Sequence, residues 1–191
     1  MRRLILPAFL ALFLAPAIPA QAATWTPDQA HSEVDFSVLH MSLSNVHGRF
    51  GNVTGAVNFD PNDMANSFAN VTIDLSGIDT GESARDAVLK SASFFNVEKY
   101  PTATFVSTKV EKTADGLAVT GNLTLRGITK SVVLTVEGPN GPVTGMDQKL
   151  HAGFTATASI DRKDFGIGTS FPSGIVGDQV KLSIDLEIVK Q

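Results

Sequence analysis

Along most of the chain apolar and polar residues alternate with period two, the pattern of strands that bury one face and wet the other. Eight runs carry it: Glu33 to Leu39, Phe50 to Phe59, Phe68 to Leu75, Thr102 to Val110, Leu117 to Leu125, Ile128 to Glu137, Leu150 to Ile160 and Val180 to Val189. In the last of these, Val180, Leu182, Ile184, Leu186 and Ile188 share one face, while Lys181, Ser183, Asp185 and Glu187 share the other. The punctuation between runs is mostly short: Asp-Pro-Asn-Asp after Phe59, Ala-Asp-Gly before Leu117 and Arg-Gly before Ile128. Such residues build the turns that join neighbouring antiparallel strands, so a meander is expected. Two stretches depart from the pattern. From Gly81 to Phe95, Ala84, Val88 and Leu89 alternate with Glu82, Arg85 and Lys90 at the spacing of a short helix, and the span from Arg162 to Asp178 is rich in glycine. Pro101 stands at the start of a strand, where its missing N–H does least harm.

Eight antiparallel strands either close into a barrel or stack as a sandwich. Closure removes exposed edges and leaves room for one small ligand, whereas a sandwich fills its middle with side chains. Ala152, Ala156 and Ala158, beside Phe154 and Ile160 at inward positions, leave volume inside and favour the barrel. The expectation is an all-β, eight-stranded antiparallel barrel with a short helical insertion. The aromatic residues Phe36, Phe50, Phe94, Phe95, Phe105, Phe154, Phe165 and Phe171, with Val38 and Leu89, are the candidate lining of its interior. An ordinary packed core would use the same residue types.

The N-terminus changes where that domain begins. Met1-Arg2-Arg3 is basic, Leu4 to Ile18 is almost wholly apolar and Ala20-Gln21-Ala22 is a small-x-small site, the layout of a secretory signal peptide over residues 1–22. Residues 23–191 are then expected to form one exported domain. No later run approaches the ~20 apolar residues of a membrane-spanning helix, so no integral span is expected in the mature chain. Without Arg2 and Arg3 the net charge moves from −4 to about −6, which disfavours nucleic acid as a partner. With no cysteine, disulfides, thiolate metal ligands and thiol nucleophiles are all excluded.

Catalytic patterns are sparse. His31, His40 and His47 are not at the spacing that places ligands together on one strand or helix face, so no metal site is expected from them. Asp79-Thr80-Gly81 resembles an aspartic-protease triplet, but no second copy exists in the chain and only a homodimer could supply the partner carboxylate, so it is read as a loop leaving the strand that ends at Leu75. No G-x-S-x-G elbow or phosphate-cradling glycine motif is present. Asn52, Asn70 and Asn122 each begin an N-x-S/T triplet, which Thr-rich strands also produce incidentally.

Four stretches, taken in order, resemble the YceI-like, polyisoprenoid-binding family: DQAHSEVDFSVLHMSLSNVHGRFGNVTGAVNFDP, RDAVLKSASFFNVEKYPTATFVST, GNLTLRGITKSVVLTV and IDRKDFGIG. Arg85-Asp86 with Leu89, Ser91, Phe94, Phe95, Tyr100 and Pro101 is the most specific of them. The resemblance implies a lipocalin-like barrel in the bacterial periplasm, often a homodimer, with an elongated apolar cavity for an isoprenoid-type lipid or quinone and no cofactor or catalytic residue. It differs at Val88, where the family often has histidine. In such a carrier, burial of apolar surface supplies affinity and a few polar groups at the mouth orient the ligand. Arg85, Asp86, Arg162 and Asp164 are the candidates for that role. His40 joins them, because continued alternation from Phe36 puts it at the inner rim. A filled-core interaction module and a small-molecule hydrolase or isomerase using His40 or Asp86 are the competing readings. Storage, transport and handover to a membrane redox or lipid-handling partner are equally compatible with the residues.

Overall fold

The computed structural model describes residues 24–60 and 63–191; the expected signal peptide, residues 1–22, lies outside them. Ten strands form one antiparallel sheet: β1 (Thr24–Pro27), β2 (Glu33–His40), β3 (Ser44–Arg49), β4 (Val53–Asn58), β5 (Phe68–Asp74), β6 (Thr102–Lys112), β7 (Leu117–Leu125), β8 (Ile128–Thr144), β9 (Leu150–Asp161) and β10 (Val176–Lys190). The long β10 carries two partners on one edge: β2 pairs with it from Asp185 to Val176, and β1 from Lys190 to Ile188. β1 and β2 are thus one strand interrupted at residues 28–32. Likewise β3 pairs with β2 while β4 pairs with β1 and β5, so these two also follow one another along the wall. Counted this way the sheet is a closed, eight-stranded antiparallel barrel, in the meander order expected.

The alternation located all eight runs, and the differences have local causes. β3 is not among the expected strands, because the tight connection before it uses Met41 and Ser42 at positive φ (51° and 58°), residues that do not announce a hairpin. β8 runs on past Glu137 through Gly138-Pro139-Asn140-Gly141-Pro142, a sequence that reads as a stop. It continues by two register shifts against β9, with Gly138 and Gly141 at φ of 111° and 100°, which only glycine adopts without strain. The helix α1 spans Ser83–Lys90. Glu82 Oε1 accepts from the Ala84 N–H, and Asp86 in the first turn and Lys90 in the last complement the helix dipole. Arg126-Gly127, both at positive φ, makes the two-residue turn from β7 to β8.

The registers define two ends. At one lie the β2–β3 turn, α1 with residues 75–101, the Arg126-Gly127 turn and residues 162–175; at the other lie Thr24, Gln191, residues 59–60 and 63–67 and the turns after β6 and β8. A buried cluster plugs each. Leu75, Ile78, Phe94, Phe95, Phe105, Leu125 and Phe165 belong to the helix end, and Trp25, Phe59, Met64, Leu117, Val136 and Ile188 to the far end. Val71, Val119 and Leu134 pack against both clusters, so they mark the waist of the barrel between them.

Candidate functional site

The interior between the two plugs is a cavity. Counted as space open to the centre of a water-sized sphere, it holds about 230 Å³. Its walls are the inward faces of the strands: Val180, Leu182, Ile184 and Leu186 from β10, Val119 and Leu123 from β7, Val71 and Ile73 from β5. These β10 residues are only half-buried although they point into the barrel, because the space beside them is open. From Val180 to Leu186 the wall is roughly 20 Å long at ~3.4 Å per residue. Edge-on aromatic pairs close both ends: Trp25–Phe59 and Phe59–Phe154 at centroid distances of 5.5 and 5.4 Å at the far end, Phe50–Phe95 at 5.7 Å at the helix end. Phe68, 47% exposed, stands where the wall meets solvent at the far end.

Eight of the ten expected apolar residues are on this wall: Phe36, Val38, Phe50, Leu89, Phe94, Phe95, Phe105 and Phe154. Two are not. Phe165 is fully buried in the helix-end plug, held there by the 3₁₀ turn Arg162–Phe165, and Phe171 packs on the outer side of Phe94 at 5.0 Å. Both sit in the glycine-rich span, where no strand alternation existed to indicate direction. Conversely, Met64, Phe68 and the aliphatic faces of β7, β8 and β10 line the cavity but were not among the candidates. Strand parity pointed to those aliphatic faces, whereas nothing local marked Met64 in its short 3₁₀ turn.

The polar candidates behave differently from expectation. Arg85 donates from Nε to Thr80 Oγ1 (2.8 Å) and from Nη2 to the Thr80 carbonyl (2.9 Å). Asp86 Oδ1 accepts from the Thr80 N–H (2.9 Å) and its hydroxyl (2.6 Å). The two residues fasten α1 to the loop before it, and neither lines the cavity. His40 ends β2 exposed to solvent, paired to Val176 of β10 but not lining the cavity, and Asp164 is exposed in the turn after β9. Arg162 alone of the five touches the cavity. It is 2% exposed and its guanidinium is saturated: Nε donates to Gly177, Nη1 to Ile167 and Gly168, and Nη2 to Phe171, Val176 and the Asp178 carboxylate. All five of its N–H groups are occupied, so it staples the glycine-rich span to β10.

Besides Arg162, the lining includes two polar side chains among the described residues, Ser67 and Ser107. Each hydroxyl oxygen already accepts a backbone N–H, from Asp60 at 3.3 Å and Ala69 at 2.8 Å respectively. The wall therefore presents hydrocarbon, with no charge free to meet an ionic substrate. The protease-like triplet lies outside it. Asp79 accepts the Gly81 N–H and pairs with Arg49, which together hold its carboxyl below the ordinary range, and its backbone bridges to Arg49 of β3. The three N-terminal histidines do not converge: His31 is in the interruption before β2, whereas His40 and His47 are on the β2–β3 hairpin. No described helix is long and apolar enough to cross a membrane.

Comparisons agree with this architecture. A family model described as YceI-like domain matches residues 25–188. Protein YceI of Salmonella newport (strain SL254) is 38% identical over 195 residues, covering 100% of both chains. Among solved structures, Burkholderia cenocepacia BcnA superimposes with a TM-score of 0.73 at 28% identity, over 84% of this chain and 98% of its own. The Campylobacter jejuni YCEI protein gives 0.71 at 34% identity, over 78% and 87%. A polyisoprenoid binding domain from Saccharophagus degradans gives 0.67 over 88% and 99%; at 15% identity it is a likeness of fold.

Proposed function

The chain belongs to the YceI-like family, and on that premise we propose that it is an exported, periplasmic binding protein. It holds a long apolar molecule, of the polyisoprenoid, quinone or fatty-acid class, inside the barrel. The observation that carries the reading is the cavity: a closed barrel with an interior lined by aliphatic and aromatic side chains, whose few polar atoms are already hydrogen-bonded. Each ~100 Å² of ligand apolar surface moved from water into such a site is worth about 2.5 kcal/mol. A chain several isoprene units long therefore binds without an ionic anchor. The Saccharophagus degradans domain, of the same fold, is described as binding polyisoprenoid, which supports this ligand class here. The basic opening segment of residues 1–22 supports export.

Binding rather than catalysis is the proposed role. The catalytic alternative rested on His40 and Asp86, and neither lines the cavity. A filled core is likewise at odds with the open interior.

Blocking the interior tests the proposal. Leu182 and Val119 face the cavity from β10 and β7, so Leu182→Trp or Val119→Phe occupies the space a ligand needs. Titration with a polyprenol, a quinone and a fatty acid, followed by tryptophan fluorescence or calorimetry, is expected to show saturable binding of at least one. Either substitution should weaken it about tenfold or more, with the melting temperature retained. Binding unaffected by both substitutions would place the ligand elsewhere and refute the interior site.

A further inference from the structure

The interruption between β1 and β2 gathers a cluster that the sequence does not announce. Residues 28–32 leave the sheet and wrap around Glu187 of β10. The Asp28 N–H donates to the Glu187 carbonyl (2.8 Å), and Ser32 Oγ both donates to that carbonyl (3.1 Å) and accepts the Glu187 N–H (3.2 Å). Glu187 therefore keeps its backbone satisfied while its side chain stands on the outer face, where Asp28 and His31 are presented to it. Acceptor atoms of Asp28, His31 and Glu187 all lie within 4.8 Å of one another. On the neighbouring strand β9, His151 points the same way, its Nδ1 2.7 Å from Glu187 Oε1. A second imidazole, 120 residues on in the chain, thus joins the cluster through Glu187.

The geometry points to a site for a divalent transition-metal ion of the zinc class, with Asp28, His31, Glu187 and His151 as ligands, clamping the seam where the interrupted strand meets β9 and β10. Imidazole and carboxylate are the donors such ions take, and a tetrahedral site needs donor atoms about 3.3 Å apart; His31 Nδ1 and Asp28 Oδ2 stand 3.0 Å apart, and His151 Nδ1 and Glu187 Oε1 2.7 Å. The surroundings add a second argument. His151 sets its other nitrogen, Nε2, 2.9 Å from Asp147 Oδ1. An outer carboxylate on the far nitrogen of a ligand histidine fixes the ring's tautomer and aims the remaining nitrogen at the metal. His151 and Asp28 are mostly buried, with side chains 16% and 21% exposed, whereas His31 is 64% exposed and closes the site from solvent. Two carboxylates and two neutral imidazoles carry a charge that a divalent ion cancels.

The test is calorimetric titration of the untagged, chelator-treated full-length protein with Zn²⁺ at about pH 7.5. One Zn²⁺ per chain is expected. His31→Ala, His151→Ala and Glu187→Gln should each weaken binding at least about tenfold, while His40→Ala with His47→Ala leaves it unchanged. Zn²⁺ should also raise the melting temperature of the wild type and not that of His31→Ala, which is exposed enough to leave the fold intact. Absence of saturable binding in the wild type would overturn the assignment. So would binding that survives in His31→Ala and His151→Ala.

Discussion

A guanidinium beside an aromatic-lined cavity suggests, from sequence, a clamp for an anionic head group. Arg162 has a different task, because five backbone carbonyls and the Asp178 carboxylate take up its whole donor fork. Asp178 is held below the ordinary carboxylate range, first by the Ser173 hydroxyl and then by Lys163 and Arg162. Replacing Arg162 with Met strands those carbonyls and one carboxylate, and is expected to cost about 3–5 kcal/mol in urea unfolding. Arg162→Lys should rescue little, since an ammonium cannot reproduce the fork. A variant as stable as the wild type would return Arg162 to ligand binding. Residue type could not distinguish the two roles, because the partners are carbonyls of a glycine-rich loop, and backbone acceptors leave no trace in side-chain identity. The same holds for Arg85 and Asp86, whose shared partner, Thr80, is fixed by a loop conformation rather than by spacing.

Elements were legible wherever one face was wet and one dry. β7 matches its alternation from Leu117 to Leu125, and β10 extends its run by four residues at the start and one at the end. Legibility ended where another signal dominated: turn-like Gly-Pro pairs concealed β8 beyond Glu137, and β3, exposed on most of its residues, has no buried face to alternate. The short α1 was legible, but its attachment was not. With no fully buried residue of its own, α1 is held by Asp86 and Arg85 on Thr80 and by half-buried Leu89 against the helix-end plug. Asp86→Ala removes two of these bonds at once, so local opening of α1 should become easier by about 1–3 kcal/mol. Hydrogen exchange checks this: amides of residues 79–90 should exchange faster while those of β7 to β10 keep their protection. Uniform protection throughout would show that packing alone holds the helix.

At the scale of the whole molecule, closure is the feature from which the rest follows. The last strand returns to the first, so no free edge remains around the waist, and two apolar plugs at opposite ends leave the middle open. Closure was inferable from the count of amphipathic strands and the small inward residues of β9. The position of the plugs was not, since it depends on how residues 75–101 at one end, and 59–60 with 63–67 at the other, fold back over the barrel. The most direct check of the central claim is native mass spectrometry of the protein purified from bacteria, followed by organic extraction. A bound mass that extraction removes, and that proves to be a prenyl, quinone or acyl lipid, is the predicted result. A homogeneous mass equal to the bare chain, with no uptake of any of these lipids on addition, would contradict it.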